Sequence, residues 1–177
     1  TSHMTPLEIA ARILGSAWPD SVLMYKDYDN PVFEWVSQRK RLRYMASLLP
    51  HKQVTAFLNA IRGGSVGIYM IDQSASRRHC VFAPFFGVQT ATLKTTGDFL
   101  RQTQAIAVPT YFGRLPEGRG YYVDIQPPLE NFPGDDPVAD ATRINALTET
   151  NIMRHPEQYL WQHRRFKHRP EGEAAIY

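Results

Sequence analysis

The stretch Val66-Gly67-Ile68-Tyr69-Met70-Ile71-Asp72-Gln73 decides the fold class of this chain. A short apolar run that follows the breaker Gly63-Gly64 and ends in a polar pair is typical of a buried strand. Helical and extended patterns alternate on both sides of it, which indicates an α/β fold. Ligands of open α/β sheets bind at the carboxyl ends of the strands. Asp72 and Gln73 are therefore predicted to lie at a binding site.

The other patterns predict a mixed sheet flanked by helices, in a single domain over residues 1–177. Asn30 before Pro31 predicts the start of a helix that carries Val32, Trp35 and Val36 on one face, and Asp136 before Pro137 predicts the start of another. The predicted helices cover residues 7–14, 31–41, 52–62, 95–104 and 137–153, with a last one from 155. The predicted strands cover 21–25, 44–49, 66–71, 106–112 and 121–126, with an edge strand or loop over 81–87 and a polar loop over 74–80.

The composition fits a globular chain, because 43% of its 177 residues are hydrophobic. The single cysteine, Cys80, excludes an internal disulfide and a zinc site built on cysteines. The longest apolar runs are short and broken by charges, so no segment of this sequence is expected to cross a bilayer.

Basic residues cluster over residues 39–43 and 163–169, and the formal net charge is +3. Such clusters suit nucleic acid, phosphorylated lipid headgroups or an acidic carrier protein, and a solvated surface is the alternative. No recognised nucleic-acid-binding motif accompanies them, so we predict no nucleic-acid partner.

Near the amino end, His3 stands five positions before Glu8, where a helical pattern begins. A carboxylate held against an imidazole fixes its tautomer, so that the other ring nitrogen can take a proton from a hydroxyl. Ser2-His3-Met4 also matches the remnant of an expression tag, and the spacing alone leaves both interpretations open.

Several segments, taken together, resemble the lipid A biosynthesis acyltransferases, especially their lauroyltransferase branch. The most specific is the carboxyl-terminal run Pro156-Glu157-Gln158-Tyr159-Leu160-Trp161-Gln162-His163-Arg164-Arg165-Phe166-Lys167-His168-Arg169-Pro170-Glu171-Gly172. The others follow the family's order and compatible spacings, and they are Asp29-Asn30-Pro31 with Trp35, Asp72-Gln73, Phe85-Phe86-Gly87 and Thr95-Thr96-Gly97. The resemblance covers essentially the whole chain.

The resemblance implies a glycerolipid acyltransferase-like fold and a membrane enzyme. Such enzymes move a fatty acyl chain from acyl carrier protein to a Kdo-bearing lipid A precursor, at the cytoplasmic face of the inner membrane and without a cofactor. The family's His-x4-Asp/Glu motif matches His3 and Glu8, which favours a native His3 acting as general base with Glu8 as its brace. A membrane helix and a further stretch precede this motif in the family. We therefore expect the chain to be the carboxyl portion of a longer enzyme, lacking the amino-terminal part of the fold.

Cations are expected to bind the acceptor's phosphates or anionic membrane lipids. Lys26 stands where the family carries an arginine, and it keeps the charge without the bidentate fork. Asp72 and Gln73 either fix the acceptor sugar or make internal contacts. The further candidate anion contacts, each with a plain surface role as the alternative, are Arg43, Arg77, Arg78, Arg164 and Arg165.

Two other functions stay open at this point. One is acyl transfer to another glycolipid or to a glycerol phosphate, because Lys26 departs from the arginine of the lipid A family. The other is a fragment without turnover that binds a membrane or a partner through its basic carboxyl-terminal run.

Overall fold

The computed structural model describes residues 1–73 and 77–177, and for Arg77 the backbone alone. The predicted polar loop over 74–80 therefore falls partly on residues 74–76, outside the described residues. The helices are α1 Leu7–Ala17, α2 Pro31–Arg41, α3 Val54–Arg62, α4 Thr95–Thr103 and α5 Pro137–Arg154. The strands are β1 Val22–Tyr25, β2 Ser47–Pro50, β3 Gly67–Ile68, β4 Cys80–Phe85, β5 Val88–Leu93, β6 Thr110–Arg114 and β7 Tyr121–Ile125. Short 3-10 turns cover Arg77–His79, Pro116–Gly118 and Pro156–Gln158.

Three parallel strands form the central sheet in the order β2-β1-β3. Leu23 of β1 aligns with Leu48 of β2 and with Ile68 of β3. The α/β class is confirmed, but the single mixed sheet needs correction, because β4-β5 and β6-β7 form separate antiparallel hairpins. Pro84 within β4 has no N–H to donate, which suits a strand that pairs on one side.

Two helices begin where their capping residues predict. The Asn30 side chain accepts hydrogen bonds from the N–H groups of Val32 at 2.9 Å and Phe33 at 3.3 Å. Asp136 accepts one from the N–H of Val138 at 2.8 Å. These side chains satisfy backbone donors that have no partner inside the helix.

The predicted last helix needs correction, because only the 3-10 turn Pro156–Gln158 forms there. Beyond it, the N–H of Leu160 donates to the carbonyl of His3 at 3.1 Å, and Tyr159 makes an antiparallel bridge with Met4. The amino-terminal segment thus engages backbone groups of the carboxyl-terminal run that a continuing helix would need for its own hydrogen bonds.

Helix α2 turns its largest apolar side chains outward. Val32 is 67% exposed, Phe33 65% and Trp35 60%, whereas Arg41 on the same helix is buried. The face that we predicted from Val32, Trp35 and Val36 therefore does not pack on the core.

The core next to the amino terminus joins distant parts of the chain. Met4 packs in one buried cluster with Phe85 of β4, Phe112 of β6, Ile152 of α5 and Tyr159 of the carboxyl-terminal run. The residue beside Met4, His3, is thereby held against the body of the fold. Within residues 1–73 and 77–177, no helix combines the length and the apolar character needed to cross a membrane.

Candidate active site

The side chain of His3 lies against the carboxylate of Asp72. His3 Nδ1 is 2.7 Å from Asp72 Oδ1, and the His3 backbone N–H donates to Oδ2 at 2.8 Å. An ionised carboxylate only accepts hydrogen bonds, so Nδ1 carries the proton in this contact. Nε2 of the neutral ring then holds the free electron pair that a general base needs.

The chain topology explains this contact. The predicted strand over 66–71 forms only as β3, and Asp72 follows it four residues later on the carboxyl side of the parallel sheet. The backbone of Thr1 donates to the carbonyl of Tyr69 between them at 3.3 Å. Asp72 is fully buried, and the side chain of His3 is 20% exposed. A buried anion therefore faces a ring that is partly accessible to solvent.

Burial and hydrogen bonding act in opposite directions on the pKa of Asp72. Burial alone would raise the pKa of Asp72, but the hydrogen bonds and the charge of His3 outweigh it and hold that pKa below its ordinary value. Asp72 is thus an anion at neutral pH, suited to stabilise an imidazolium as it forms on His3.

Two side chains of the carboxyl-terminal run lie within electrostatic range of Asp72. Burial, with the negative charge of Asp72, raises the pKa of Tyr159, so its hydroxyl stays protonated. Burial, with the positive charge of Lys167, lowers the pKa of His163, which is therefore neutral at pH 7. The sequence placed His163 in a basic cluster and gave no sign that it belongs beside His3.

Backbone and side-chain contacts fix the segment that carries His3. Ser2 Oγ accepts a hydrogen bond from Asn151 Nδ2 of α5 at 2.6 Å, with both residues buried. The N–H of Thr5 donates to the carbonyl of Gln158 at 2.7 Å. The carboxyl-terminal run thus holds the catalytic candidate in place.

Glu8 binds Arg41 rather than His3, which corrects the predicted brace. Arg41 makes a bidentate contact in which Nη2 pairs with Oε1 of Glu8 and Nε donates to Oε2 at 3.2 Å. Burial would lower the pKa of Arg41, but the hydrogen bonds and the charge of Glu8 raise it overall. Thr1, two residues before His3, lines a void of about 30 Å³ with Glu8 and Arg41, whereas neither His3 nor Asp72 lines that void.

Arg165 is a structural residue, which corrects its predicted substrate contact. It is only 2% exposed. Its guanidinium donates to the carbonyl of Ala91 at 2.5 Å, to Thr92 Oγ1 at 2.9 Å and to Asn145 Oδ1 at 3.4 Å, and it lies 5.0 Å from the centre of the Phe85 ring. The buried guanidinium ties the carboxyl-terminal run to β5 and α5.

The other predicted binding residues remain at the surface. Lys26, Arg43 and Arg164 are exposed, and Gln73 is half-buried. The Arg164 guanidinium lies 5.9 Å from the centre of the Tyr177 ring. The side chain of Arg77 lies outside the described residues. None of these positions is brought against the His3–Asp72 pair by a contact among the described residues.

A cavity of about 620 Å³ is lined in part by Ser2 and Ile71, which precede His3 and Asp72 in the sequence. The cavity runs along β3, whose residues Gly67 and Ile68 line it. Among the described residues, β3 pairs with another strand on one side only. This volume falls within the range of small-molecule sites. Its wall is mainly apolar and includes Phe57, Ile61, Phe99, Leu100, Ile144 and Leu147. In the part of the chain that the structure describes, no group of three or more His, Cys, Asp or Glu side chains could hold a metal ion.

Comparison with known proteins gives one consistent family. The model of the bacterial lipid A biosynthesis acyltransferase family matches residues 1–168. The chain is 38% identical to the lipid A biosynthesis lauroyltransferase of Escherichia coli (strain K12) over 177 residues, which is 99% of this chain and 57% of that protein. It is 35% identical over 176 residues to the palmitoleoyltransferase of the same organism, with the same two shares.

The chain is also similar to the lipid A biosynthesis myristoyltransferase of Escherichia coli, at 29% identity over 178 residues, 99% of this chain and 54% of that protein. The chain thus spans little more than half the length of these relatives. The resemblance that the motifs indicated is confirmed by the family match. This chain belongs to the bacterial lipid A biosynthesis acyltransferase family.

Proposed function

We propose that this chain carries the acyl-transfer centre of a lipid A acyltransferase, with His3 as general base. The observation that carries the proposal is the His3–Asp72 pair, joined at 2.7 Å at the carboxyl end of the parallel sheet. Asp72 takes the bracing role that the sequence suggested for Glu8. The donor is acyl carrier protein charged with a fatty acid, and the acceptor is a hydroxyl of a Kdo-bearing lipid A precursor.

The proposed reaction needs one proton carrier. His3 Nε2 takes the proton of the acceptor hydroxyl while the hydroxyl oxygen attacks the thioester carbonyl. When the tetrahedral intermediate collapses, the carbon–sulfur bond breaks and the imidazolium returns the proton to the leaving thiolate. Asp72 stabilises the imidazolium in between and stays ionised, so no covalent acyl-enzyme is required.

Glu8 and Arg41 form a second functional pair in this proposal. Because Glu8 is half-exposed and Arg41 is buried, Arg41 fixes the direction of the Glu8 carboxylate and leaves part of it accessible. Glu8 is therefore proposed to position the acceptor through its carboxylate. Lys26, Arg43 and Arg164 remain the proposed contacts for phosphate groups of the acceptor or of anionic membrane lipids.

The cavity beside Ser2 and Ile71 is proposed to take the acyl chain. Its apolar wall suits a fatty chain, and two of its lining residues, Ser2 and Ile71, are the sequence neighbours of His3 and Asp72. The names of the relatives mention lauroyl, palmitoleoyl and myristoyl groups, so acyl chains of this class are the first to test. The proposed place of action is the cytoplasmic face of the inner membrane, where both substrates meet.

The proposal is tested by acyl transfer in the intact protein with His3→Ala, using His51→Ala as a control with an exposed histidine. The loss of a general base lowers turnover by about 10²–10⁴-fold, and the control retains full activity. Transfer to a glycerol phosphate, assayed in parallel, separates the alternative acceptor class that Lys26 leaves open. Full turnover by His3→Ala would overturn the assignment.

A further inference from the structure

Helix α2 has its polar and apolar faces reversed relative to an ordinary surface helix. A helix at the surface of a globular fold usually turns its apolar stripe toward the core. Here Val32, Phe33 and Trp35 are each at least 60% exposed. Leu42, just after the helix, is 52% exposed. Single exposed apolar side chains are common, but a contiguous group on one element marks an interaction surface.

Hydrogen bonds on the opposite face fix this orientation. Glu34 accepts from the Tyr25 hydroxyl at 2.6 Å and from the N–H of Tyr28 at 2.9 Å. Gln38 donates to the same Tyr25 hydroxyl at 2.9 Å, and Arg41 is paired with Glu8. The inward residues recur at helical spacing, so the helix cannot rotate its apolar side chains inward without breaking these contacts.

Cations border the apolar side chains of α2. Arg39 lies with its guanidinium carbon 5.3 Å from the centre of the Trp35 ring. Lys40 and Arg43 are also exposed. Residues 26–43 carry five basic and three acidic side chains, and Arg41 and Glu34 are both engaged on the inner face, which leaves four basic and two acidic side chains.

We propose that the α2 face, formed by Val32, Phe33, Trp35, Arg39 and Lys40, docks on an anionic lipid bilayer. Aromatic and aliphatic side chains next to Arg and Lys are the composition of an interfacial membrane helix, with rings at headgroup depth and cations against phosphates. Aromatic residues and Arg are also enriched at protein–protein interfaces, but Lys is depleted there, and Lys40 belongs to this face. The composition of this face therefore favours a bilayer over a protein partner.

The position of the α2 face relative to the candidate site gives the docking a consequence. Arg41, on the inner face of the same helix, holds Glu8 of α1, five residues after His3. Docking through α2 would therefore orient α1, and the segment that carries His3, relative to the bilayer. The docking itself does not depend on acyl transfer, so it is tested without any substrate.

The test measures co-sedimentation of the 177-residue chain with vesicles of phosphatidylethanolamine and phosphatidylglycerol, and with vesicles of phosphatidylcholine alone. Wild type is expected to bind the anionic vesicles. The double variant Phe33→Ser/Trp35→Ser weakens that binding at least tenfold. Its matched control, Val138→Ser/Met153→Ser, replaces two exposed apolar residues of α5 and binds like wild type.

The charges are tested separately. Arg39→Glu/Lys40→Glu weakens binding to anionic vesicles by about fivefold or more for each basic residue at low salt. Lys52→Glu/Arg119→Glu, at exposed positions elsewhere, has a smaller effect. Thermal unfolding shows that each variant is folded. The proposal would be overturned if wild type did not bind, or if Phe33→Ser/Trp35→Ser bound as well as wild type. It would also be overturned if the sole effect of that variant were a loss of self-association.

Discussion

Arg165 and Arg164 are adjacent in sequence, yet the structure predicts that their removal differs sharply in its effect on stability. The Arg165 guanidinium donates to Ala91, Thr92 and Asn145 from a site that is 2% exposed, while Arg164 is exposed. Arg165→Ala leaves three buried acceptors short of a donor and opens a space beside Phe85.

The size of the effect follows from these contacts. Each buried acceptor that loses its donor costs about 1–3 kcal/mol, so the loss of three such contacts is expected to cost several kcal/mol. An exposed substitution such as Arg164→Ala usually changes the free energy of unfolding by less than about 0.5 kcal/mol. For a domain of this length, about 1 kcal/mol corresponds to a Tm change of roughly 2–4 °C.

Urea unfolding of the two variants, followed by circular dichroism, measures the difference. Arg165→Ala is expected to unfold at a clearly lower urea concentration than wild type, and Arg164→Ala at nearly the same one. Equal midpoints for the two variants would refute the structural role of Arg165 and restore the predicted surface role.

Two further predictions concern pH and acyl chain length. Burial lowers the pKa of His163 in the folded protein, so its contribution to stability is complete above about pH 6.5, the ordinary value, and is lost as the pH falls through the lower pKa of the folded state. His163→Gln should therefore flatten the pH dependence of the unfolding free energy between about pH 5 and 7 relative to wild type, and unchanged dependence in urea titrations would contradict this. Leu147→Trp narrows the cavity and should shift the preferred donor toward shorter acyl chains, measured by competition between acyl thioesters. An unchanged preference would contradict the assignment of this cavity to the acyl chain.

Local signals in the sequence predicted much of the fold. Asn30 and Asp136 are capping residues that act within three positions, and both helices begin where they indicate. Strand β5 escaped prediction because its central residues are threonines. Thr90 and Thr92 look polar in sequence, but both are buried, with Thr90 bonded to the Arg165 carbonyl and Thr92 to the Arg165 side chain.

Local sequence signals also predicted part of the candidate site. His3 and Asp72 were each identified, the first from a motif and the second from its place after a strand. Their contact joins residues 69 positions apart, and local spacing favoured the nearer carboxylate, Glu8. A helical reading of Glu34, Gln38 and Arg41 as one inward polar face would have revealed the partner of Glu8.

The central claim is that His3 and Asp72 act as one unit. Its most direct test is kcat/KM for acyl transfer by His3→Ala, Asp72→Asn and the variant that combines both. Each single change is expected to lower the rate by about 10²–10⁴-fold, and the combined variant should be no slower than His3→Ala, since Asp72 acts through the imidazole. A combined loss equal to the product of the two single losses, or an undiminished rate for either single variant, would contradict the account.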